Sequence, residues 1–139
     1  LQSGIYAPSG KNGQPWRFVI LQEDKNLFEK AAALATAEFI SKADCLIFVF
    51  LDKEQSYDYI KDSQAIGACI QNMLLAAEAT GLGACWIGEL NGKKAEIGEL
   101  LGIGERYDLA AAITLGYPAA QRKLLSRRKP LSEVILKEF

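Results

Sequence analysis

Runs of apolar residues along the chain predict four β-strands. The segments WRFVIL at 16–21 and CLIFVFL at 45–51 consist largely of bulky β-branched and aromatic residues, which are typical of strands. Seven consecutive apolar residues at 45–51 predict a strand that is buried on both faces of a sheet. Shorter apolar runs predict further strands at 84–88 and 109–115. The sequence therefore predicts a layered protein with a central sheet.

Two shorter helices are predicted from apolar residues that recur every three or four positions. The first runs from residue 25 to about 37 and follows Asp24, a favourable cap for the amino end of a helix. The second is capped by Asn91, continues through Leu101 and ends at Gly102, because glycine accepts the left-handed conformation common at helix ends. Helices and strands thus alternate along the chain.

The longest predicted helix lies between a cap at Asp62 or Ser63 and a terminating glycine at Gly81. Apolar residues occupy almost every face of this helix, and its polar residues are confined to a narrow band near Gln71 and Asn72. Such a helix is buried nearly all round. The sequence leaves two explanations open: a second subunit covers one face, or the helix forms the core of a monomer.

The composition is that of a globular protein with one domain. The chain has 139 residues, of which 50% are hydrophobic and 24% charged, and this length supports one core but not two. No apolar run approaches the roughly 20 residues that span a bilayer, and no signal peptide opens the chain, so we expect a cytoplasmic location. Since the first residue is Leu1 instead of Met, we also expect an amino-terminal segment to be missing.

Basic residues are concentrated near the carboxyl end of the chain. The net charge is −1, which argues against a protein that coats nucleic acid, but five residues within 122–129 are basic. These residues are Arg122, Lys123, Arg127, Arg128 and Lys129. The cluster is either a solubilising tail or a site for one anionic group such as phosphate, for which arginine and lysine are suited.

The absence of histidine narrows the chemistry available to the chain. It excludes Ser-His and Cys-His catalysis and the usual transition-metal sites, so we expect no bound metal. The three cysteines, Cys45, Cys69 and Cys85, lack a CxxC spacing and lie among apolar neighbours, which predicts neither a disulfide framework nor a zinc site. An enzyme with this sequence must rely on carboxylates, lysine, hydroxyls or a bound organic cofactor.

The segment APSGKNGQPW at 7–16 is the most distinctive motif in the sequence. Two prolines restrict its backbone, and two glycines permit close approach of other groups. Short polar side chains accompany them: Ser9, Asn12 and Gln14. Such a loop is suited to binding the polar edge of a heteroaromatic ring through backbone and amide contacts, although the same residues also suit a structural turn.

Four motifs, in this order, resemble those of the nitroreductase family. The loop and strand APSGKNGQPWRFVIL come first, followed by DSQAIGACIQNMLLAAEATGLGACWIG, LGIGERYDLAAAITLGYPA and SRRKPLSEVI, and the resemblance covers about 5–135. It implies an α+β fold of three layers, α/β/α, in which helices flank a mixed, mainly antiparallel sheet. It also implies that 1–139 form a single nitroreductase-like domain and that the protein is a homodimer.

The family resemblance implies a binding site for flavin mononucleotide (FMN) that is formed by three groups of residues. They are Pro8, Ser9, Gly10 and Asn12, which contact the flavin from the neighbouring subunit; Trp86, Ile87 and Gly88, at the strand end that faces the isoalloxazine ring; and Arg127 and Lys129, near the phosphate. Glu89 is a further candidate for the second group, although the spacing there varies in the family. No side chain is assigned a catalytic role.

The same resemblance implies a ping-pong cycle in which NAD(P)H reduces the flavin and leaves before a nitroaromatic, quinone or similar oxidant takes its place. The flavin carries the hydride chemistry, which suits a chain without histidine. One family element is not found, an Arg-Arg-Ser-x-Arg motif that supplies phosphate ligands ahead of the Pro-Ser loop. The alternative is therefore a non-catalytic module of the same fold that binds flavin or another phosphorylated ligand. Neither nucleic acid nor a membrane is an expected partner.

Overall fold

The computed structural model describes residues 1–118 and 127–139 of the chain. Its strands are β1 (Trp16–Leu21), β2 (Cys45–Asp52), β3 (Gly83–Ile87) and β4 (Tyr107–Gly116). Its helices are α1 (Gln2–Ile5), α2 (Lys25–Ala32), α3 (Tyr59–Ala79), α4 (Lys94–Leu101) and α5 (Leu131–Val134). Short 3₁₀ turns occupy Gly10–Asn12, Glu38–Lys42 and Glu89–Lys93.

The four strands form one sheet in the order β1-β2-β4-β3. Each pair of neighbouring strands among the described residues is antiparallel. The resemblance implied a mixed, mainly antiparallel sheet, and among the described strands only antiparallel pairs are found. β2 and β4 lie at the centre, and β1 and β3 form the two edges.

Side chains that alternate along β2 pack into two separate hydrophobic cores. The even-numbered residues at 46–50 pack with Phe28 of α2 and Ile97 of α4. The odd-numbered residues at 47–51 pack on the other face with Ile66 of α3. All six are at most 5% exposed, as predicted for a strand buried on both faces. Helices therefore cover both faces of the sheet, which confirms an α+β fold of three layers.

The predicted strands agree with the structure to within two residues at each end. Asp24 caps α2 as predicted, because its carboxylate accepts a hydrogen bond of 2.9 Å from the N–H of Leu27. The helix ends at Ala32 instead of near residue 37. After it, Leu34 and Ala35 donate to carbonyls three residues back, so the chain tightens into turns.

The carboxyl end of α4 was predicted correctly and its amino end was not. Gly102 closes the helix with a φ of 64°, in the left-handed region that glycine favours. Asn91 does not cap the helix. It lies in a preceding 3₁₀ turn, where its N–H donates to the carbonyl of Gly88 at 3.0 Å, and α4 begins at Lys94.

The predicted start of α3 is also wrong. The helix begins at Tyr59, because Asp58 is its cap and accepts a hydrogen bond of 3.1 Å from the N–H of Lys61. Asp62, which was one of the two predicted caps, lies within the first turn and is fully buried. Two aspartates four residues apart both suit a helix start, and the sequence pattern alone does not distinguish them.

The described part of the chain covers one side of α3. Ala65, Cys69 and Met73 are buried against the sheet and α1, whereas Ile60 is 71% and Leu75 60% exposed. The predicted burial of this helix on nearly every face is therefore not reached within the described chain. Its exposed side carries Ile60 and Leu75 among polar residues such as Gln64 and Gln71.

The described residues were also compared with the requirements of a membrane-spanning helix. No helix among residues 1–118 and 127–139 is long and apolar enough to cross a bilayer.

The three cysteines, Cys45, Cys69 and Cys85, are free thiols, and burial raises the pKa of Cys69 to about 11. A thiol held in its neutral form behaves as a small apolar side chain.

Candidate functional site

The Pro8–Gln14 loop adopts a backbone conformation that most side chains avoid. Lys11, Asn12 and Gln14 have φ values of 52°, 56° and 48°. Asparagine tolerates this left-handed region, but lysine and glutamine adopt it at a cost. Two hydrogen bonds of 3.0 Å hold the shape: Ser9 Oγ accepts from the N–H of Gln14, and the carbonyl of Ser9 accepts from the N–H of Asn12.

This loop presents hydrogen-bonding groups that the described chain leaves free. The N–H groups of Ser9, Gly10 and Lys11 have no acceptor among the described residues. The side-chain amide of Asn12 is exposed and makes no hydrogen bond to them either. Three consecutive donors and one amide are the kind of set that binds the oxygen and nitrogen atoms of a polar ring edge or an anion.

Gly10 lies directly on the ring of Tyr57. A Cβ atom at position 10 would overlap that ring. Two ammonium groups lie over the same ring, Lys11 Nζ at 4.8 Å and Lys61 Nζ at 5.4 Å from its centroid, within the range of cation–π attraction. Tyr57 thus supports the loop from below and attracts its lysine.

A buried carboxylate holds Tyr57 in turn. Asp62 Oδ2 accepts hydrogen bonds from Ser56 Oγ at 2.8 Å and from the N–H groups of Tyr57 at 3.0 Å and Asp58 at 3.2 Å. Asp62 Oδ1 has no partner among the described residues. The residue predicted as a helix cap therefore fixes the turn that carries Tyr57, and through it the Pro8–Gln14 loop.

A second buried carboxylate anchors the other end of the loop. Asp52 is fully buried and forms ion pairs with Arg17 at 2.9 Å and with Arg106 through two contacts of 2.8 Å. Its N–H donates to the carbonyl of Pro15 at 2.8 Å, and Arg17 donates to the carbonyl of Gln14 at 3.1 Å. Hydrogen bonds from Arg106 hold the pKa of Asp52 below its ordinary value, although burial opposes this.

The strand end at 86–88 offers an exposed aromatic ring and an open backbone. Trp86 is 44% exposed on edge strand β3, and a Cβ atom at Gly67 of α3 would lie 3.6 Å from its ring. Ile87 points to the other face, where it is buried in the core beside α4, so its backbone alone is available to a ligand. Gly88 is exposed, with open space around its Cα.

Glu89 is engaged within the chain. Its carboxylate accepts hydrogen bonds from the N–H groups of Thr36 at 3.2 Å and Ala37 at 3.3 Å, and from the hydroxyl of Thr36. The hydroxyl contact is the main reason that the pKa of Glu89 lies below its ordinary value. Glu89 therefore ties the strand end to the 36–37 turn, which is a structural role.

The predicted phosphate ligands are exposed. Arg127 and Lys129 form no ion pair with a carboxylate of residues 1–118 or 127–139, and no described contact joins them to the Pro8–Gln14 loop. Arg122 and Lys123 lie outside the described residues. The structure thus brings Pro8, Ser9, Gly10 and Asn12 together and leaves the basic pair apart from them within this chain.

The sequence did not single out the residues that support the loop. Asp52 directly follows the longest apolar run, and a carboxylate at the end of a buried strand is a signal that could have drawn attention to it. Its partner Arg106 is 54 residues away, and no sequence pattern connects the two. Tyr57 and Gly10 are likewise joined by packing alone.

Residues 22–117 match the model of the Nitroreductase family. A relative from Archaeoglobus fulgidus bears the name "Putative NADH dehydrogenase/NAD(P)H nitroreductase" and is 31% identical over 125 residues, which cover 88% of this chain and 72% of the relative. A "putative nitroreductase in complex with fmn" from Desulfovibrio desulfuricans has a crystal structure that matches with a TM-score of 0.93 and 42% identity, over 99% of this chain and 80% of that one.

A more distant structure carries the same fold. The NADPH:FMN oxidoreductase of Vibrio harveyi, complexed with NAD⁺, matches with a TM-score of 0.86 and 25% identity over 99% of this chain and 65% of that one. The family model covers more than half of the 139 residues, and the Archaeoglobus relative is matched over most of its length. The resemblance found in the sequence motifs is therefore confirmed, and the chain belongs to the nitroreductase family.

Proposed function

We propose that this protein is an FMN-dependent oxidoreductase that takes electrons from NAD(P)H and passes them to nitroaromatic, quinone or similar acceptors. The names of its relatives support this proposal: one is described in complex with FMN, one as an NADPH:FMN oxidoreductase and one as an NAD(P)H nitroreductase. The chain spans 65–80% of the two matched structures. Activity, acceptor and the cytoplasmic location expected from the sequence are accordingly proposals.

The observation that carries the proposal is the fit between the Pro8–Gln14 loop and a flavin ring. The polar edge of isoalloxazine consists of carbonyl oxygens and ring nitrogens, most of which accept hydrogen bonds. The free N–H groups of Ser9, Gly10 and Lys11 and the amide of Asn12 supply matching donors. Arg127 and Lys129 are exposed cations suited to the phosphate, and Trp86 adds an aromatic surface.

The chain's own residues would position the ring and adjust its charge. When bound, the flavin supplies the hydride chemistry. Donors fixed on the Pro8–Gln14 loop stabilise negative charge at the ring edge most when the loop does not have to rearrange. Tyr57 beneath Gly10, and Asp52 with Arg17 at the other end, provide that rigidity.

Uncovered apolar side chains support the proposal that the protein acts as a homodimer. Ile60 and Leu75 on the outer side of α3 are 71% and 60% exposed. The carboxyl-terminal segment 127–139 exposes further large apolar residues, among them Leu136 and Phe139. Large apolar side chains left exposed on a helix are often covered at interfaces. A second copy would bury the outer side of α3.

The test is an anaerobic titration of the purified chain loaded with FMN. We expect the absorbance of the bound flavin to bleach on addition of NADH or NADPH and to return when nitrobenzene or p-benzoquinone is added. Bleaching without return would contradict the proposed acceptors. Flavin that stays bound but never bleaches would favour the non-catalytic module, and a chain that does not retain FMN would refute the proposal.

A further inference from the structure

Asp62 is a buried carboxylate whose two oxygen atoms differ in their contacts. The residue is fully buried in the first turn of α3, and its Oδ2 atom accepts three hydrogen bonds of 2.8, 3.0 and 3.2 Å. Its Oδ1 atom is also buried but has no partner among the described residues. Because burying a polar atom without a partner costs free energy, stability alone does not explain a carboxylate at this position.

The three donors to Oδ2 all belong to the turn that precedes α3. They are the hydroxyl of Ser56 and the N–H groups of Tyr57 and Asp58. Hydrogen bonds to a charged oxygen are stronger than those to a neutral one, so a single carboxylate oxygen fixes three consecutive residues. An asparagine in place of Asp62 would accept only neutral hydrogen bonds and would bury an amide group where Oδ1 lies. The rigidity of the turn therefore depends on the charge of Asp62.

The side chain of Tyr57 connects this turn to the Pro8–Gln14 loop. Gly10 lies so close to the ring that no Cβ atom fits between them, and Lys11 Nζ lies 4.8 Å from the centre of the same ring. Gly10 and Lys11 also carry two of the N–H groups that have no acceptor among the described residues. The position of the Tyr57 ring therefore sets the position of these donors.

The loop depends on support from outside because its own backbone is strained. Lys11 and Asn12 have left-handed φ values of 52° and 56°, and a conformation of this kind persists only where the surrounding structure enforces it. The contact with Tyr57 supplies that enforcement at Gly10 and Lys11. Loosening the turn below should therefore let the loop relax.

We propose that Asp62 is a positioning residue for the cofactor: acting through Tyr57, it holds the free N–H donors of the loop in the arrangement that binds the flavin edge. The inference rests on the proposed function and deepens it by naming a residue that acts on the cofactor through another side chain. The alternative is that Asp62 only completes the start of α3, as the acidic residue of a capping box does. The two roles differ in whether loss of the Asp62 charge changes the loop.

Hydrogen exchange in the flavin-free protein measures the loop directly. The N–H groups of Asn12, Gly13 and Gln14 donate within the loop at 2.9–3.0 Å, so their exchange rates report its opening. We expect Asp62→Asn to speed their exchange about tenfold, because charge-assisted hydrogen bonds become neutral ones. The matched control is Ile97→Val, which removes a methyl group from a fully buried residue in the core on the opposite face of the sheet and lowers stability without touching the loop. Loop exchange that stays unchanged in Asp62→Asn, or that rises equally in Ile97→Val, would overturn the proposal.

A double-mutant cycle on FMN affinity tests whether Asp62 acts through Tyr57. In the parent, we expect Asp62→Asn to weaken FMN binding about tenfold, and Tyr57→Leu, which removes the ring beneath the loop, to weaken it as well. In the Tyr57→Leu background, Asp62→Asn should change the affinity by less than about twofold, because residues that act in series are not additive. Additive losses would overturn the proposal, since Asp62 would then act by another route.

The outcomes separate this proposal from the proposed function. If Asp62→Asn opens the loop but binds FMN as tightly as the parent, the positioning role is overturned and the proposed function stands. If the parent does not retain FMN, while loop exchange rises in both Asp62→Asn and Tyr57→Leu, the proposed function fails and the support of the loop by Asp62 stands.

Discussion

Two of the three regions that the sequence assigned to flavin binding are held by the chain in opposite ways. The Pro8–Gln14 loop rests on Tyr57 and is anchored by Asp52 and Arg17. The 127–139 segment, which carries Arg127 and Lys129, is exposed throughout. The first region is held by contacts within one chain, whereas no described ion pair holds the side chains of Arg127 and Lys129. Changes in the first should therefore affect folding and binding together, and changes in the second binding alone.

The largest expected effect is a loss of FMN affinity caused by changes in the exposed 127–139 segment. Replacing both Arg127 and Lys129 by alanine should weaken FMN binding by about 2–4 kcal/mol if each makes a charge-assisted contact with the phosphate. The free energy of unfolding of the flavin-free protein should not change, because neither side chain pairs with a described carboxylate. Fluorescence of released flavin gives the affinity, and Lys137→Ala is the matched control. Unchanged FMN affinity would instead support the interpretation that the basic cluster is a solubilising tail.

Asp52→Asn tests the anchored region. The change removes a fully buried negative charge that pairs with two arginines. Since both arginines are partly exposed, we expect a loss of about 2–3 kcal/mol in the free energy of unfolding, below the usual cost of breaking a fully buried pair. Urea denaturation measures it. Glu54→Gln breaks only the exposed contact to Arg106 and should cost less than about 1 kcal/mol; equal losses would show that Asp52 has no special role.

The stability of the same anchor should depend on pH. Arg106 lowers the pKa of Asp52 in the folded protein, so the ionised carboxylate stabilises the fold above its unfolded pKa of about 4. That contribution is lost as the pH falls through the lowered folded pKa. The urea midpoint of the parent should therefore drop below about pH 4, and Asp52→Asn should drop less over the same range. If the urea midpoints of the parent and of Asp52→Asn fell equally with pH, Asp52 would not be the group responsible for the pH dependence.

Gly10→Ala tests the packing of the loop on Tyr57. The new methyl group overlaps the ring, but Tyr57 is 43% exposed and can shift. We expect a loss of about 1–2 kcal/mol in the free energy of unfolding, the lower part of the range for overpacking, together with weaker FMN binding. In Gly92→Ala the added methyl has open space, and it should leave both quantities unchanged. A Gly10→Ala protein with parental affinity would show that the loop position is not important for the cofactor.

The smallest effect is expected at Asn12. If its amide bonds the ring edge, Asn12→Ala removes a hydrogen bond of about 1 kcal/mol, which shifts a two-electron potential by about 20 mV when one redox state is favoured. A redox titration of variant and parent, with affinity read from released flavin, measures this. Identical potentials and affinities with a lower melting temperature would make Asn12 a structural residue of the loop.

The sequence predicted those parts of the molecule that depend on neighbouring residues. The four strands followed from apolar runs, and Gly102 from the chemistry of helix ends. Pro8 to Gln14 stood out because prolines, glycines and short polar residues occur together. The Asp52–Arg106 pair could not be predicted, because its partners are 54 residues apart and meet only through strand pairing.

The start of α3 shows a second reason why the sequence alone did not predict the structure. Asp58 and Asp62 both have the chemistry of a helix cap, and tertiary packing decides between them. Asp58 remains partly exposed and caps α3, whereas Asp62 is buried and holds the turn at Tyr57. Prediction fails where one residue type suits two local roles and the choice is made by distant parts of the chain.

Asp52 joins three segments that are far apart in the sequence: the start of β1, the end of β2 and the residue just before β4. The end of the Pro8–Gln14 loop at Pro15 is therefore held only where those strands have paired. By linkage, a molecule that binds the loop stabilises the whole sheet, not the loop alone. Loss of that molecule should lower the cooperative unfolding transition of the entire domain.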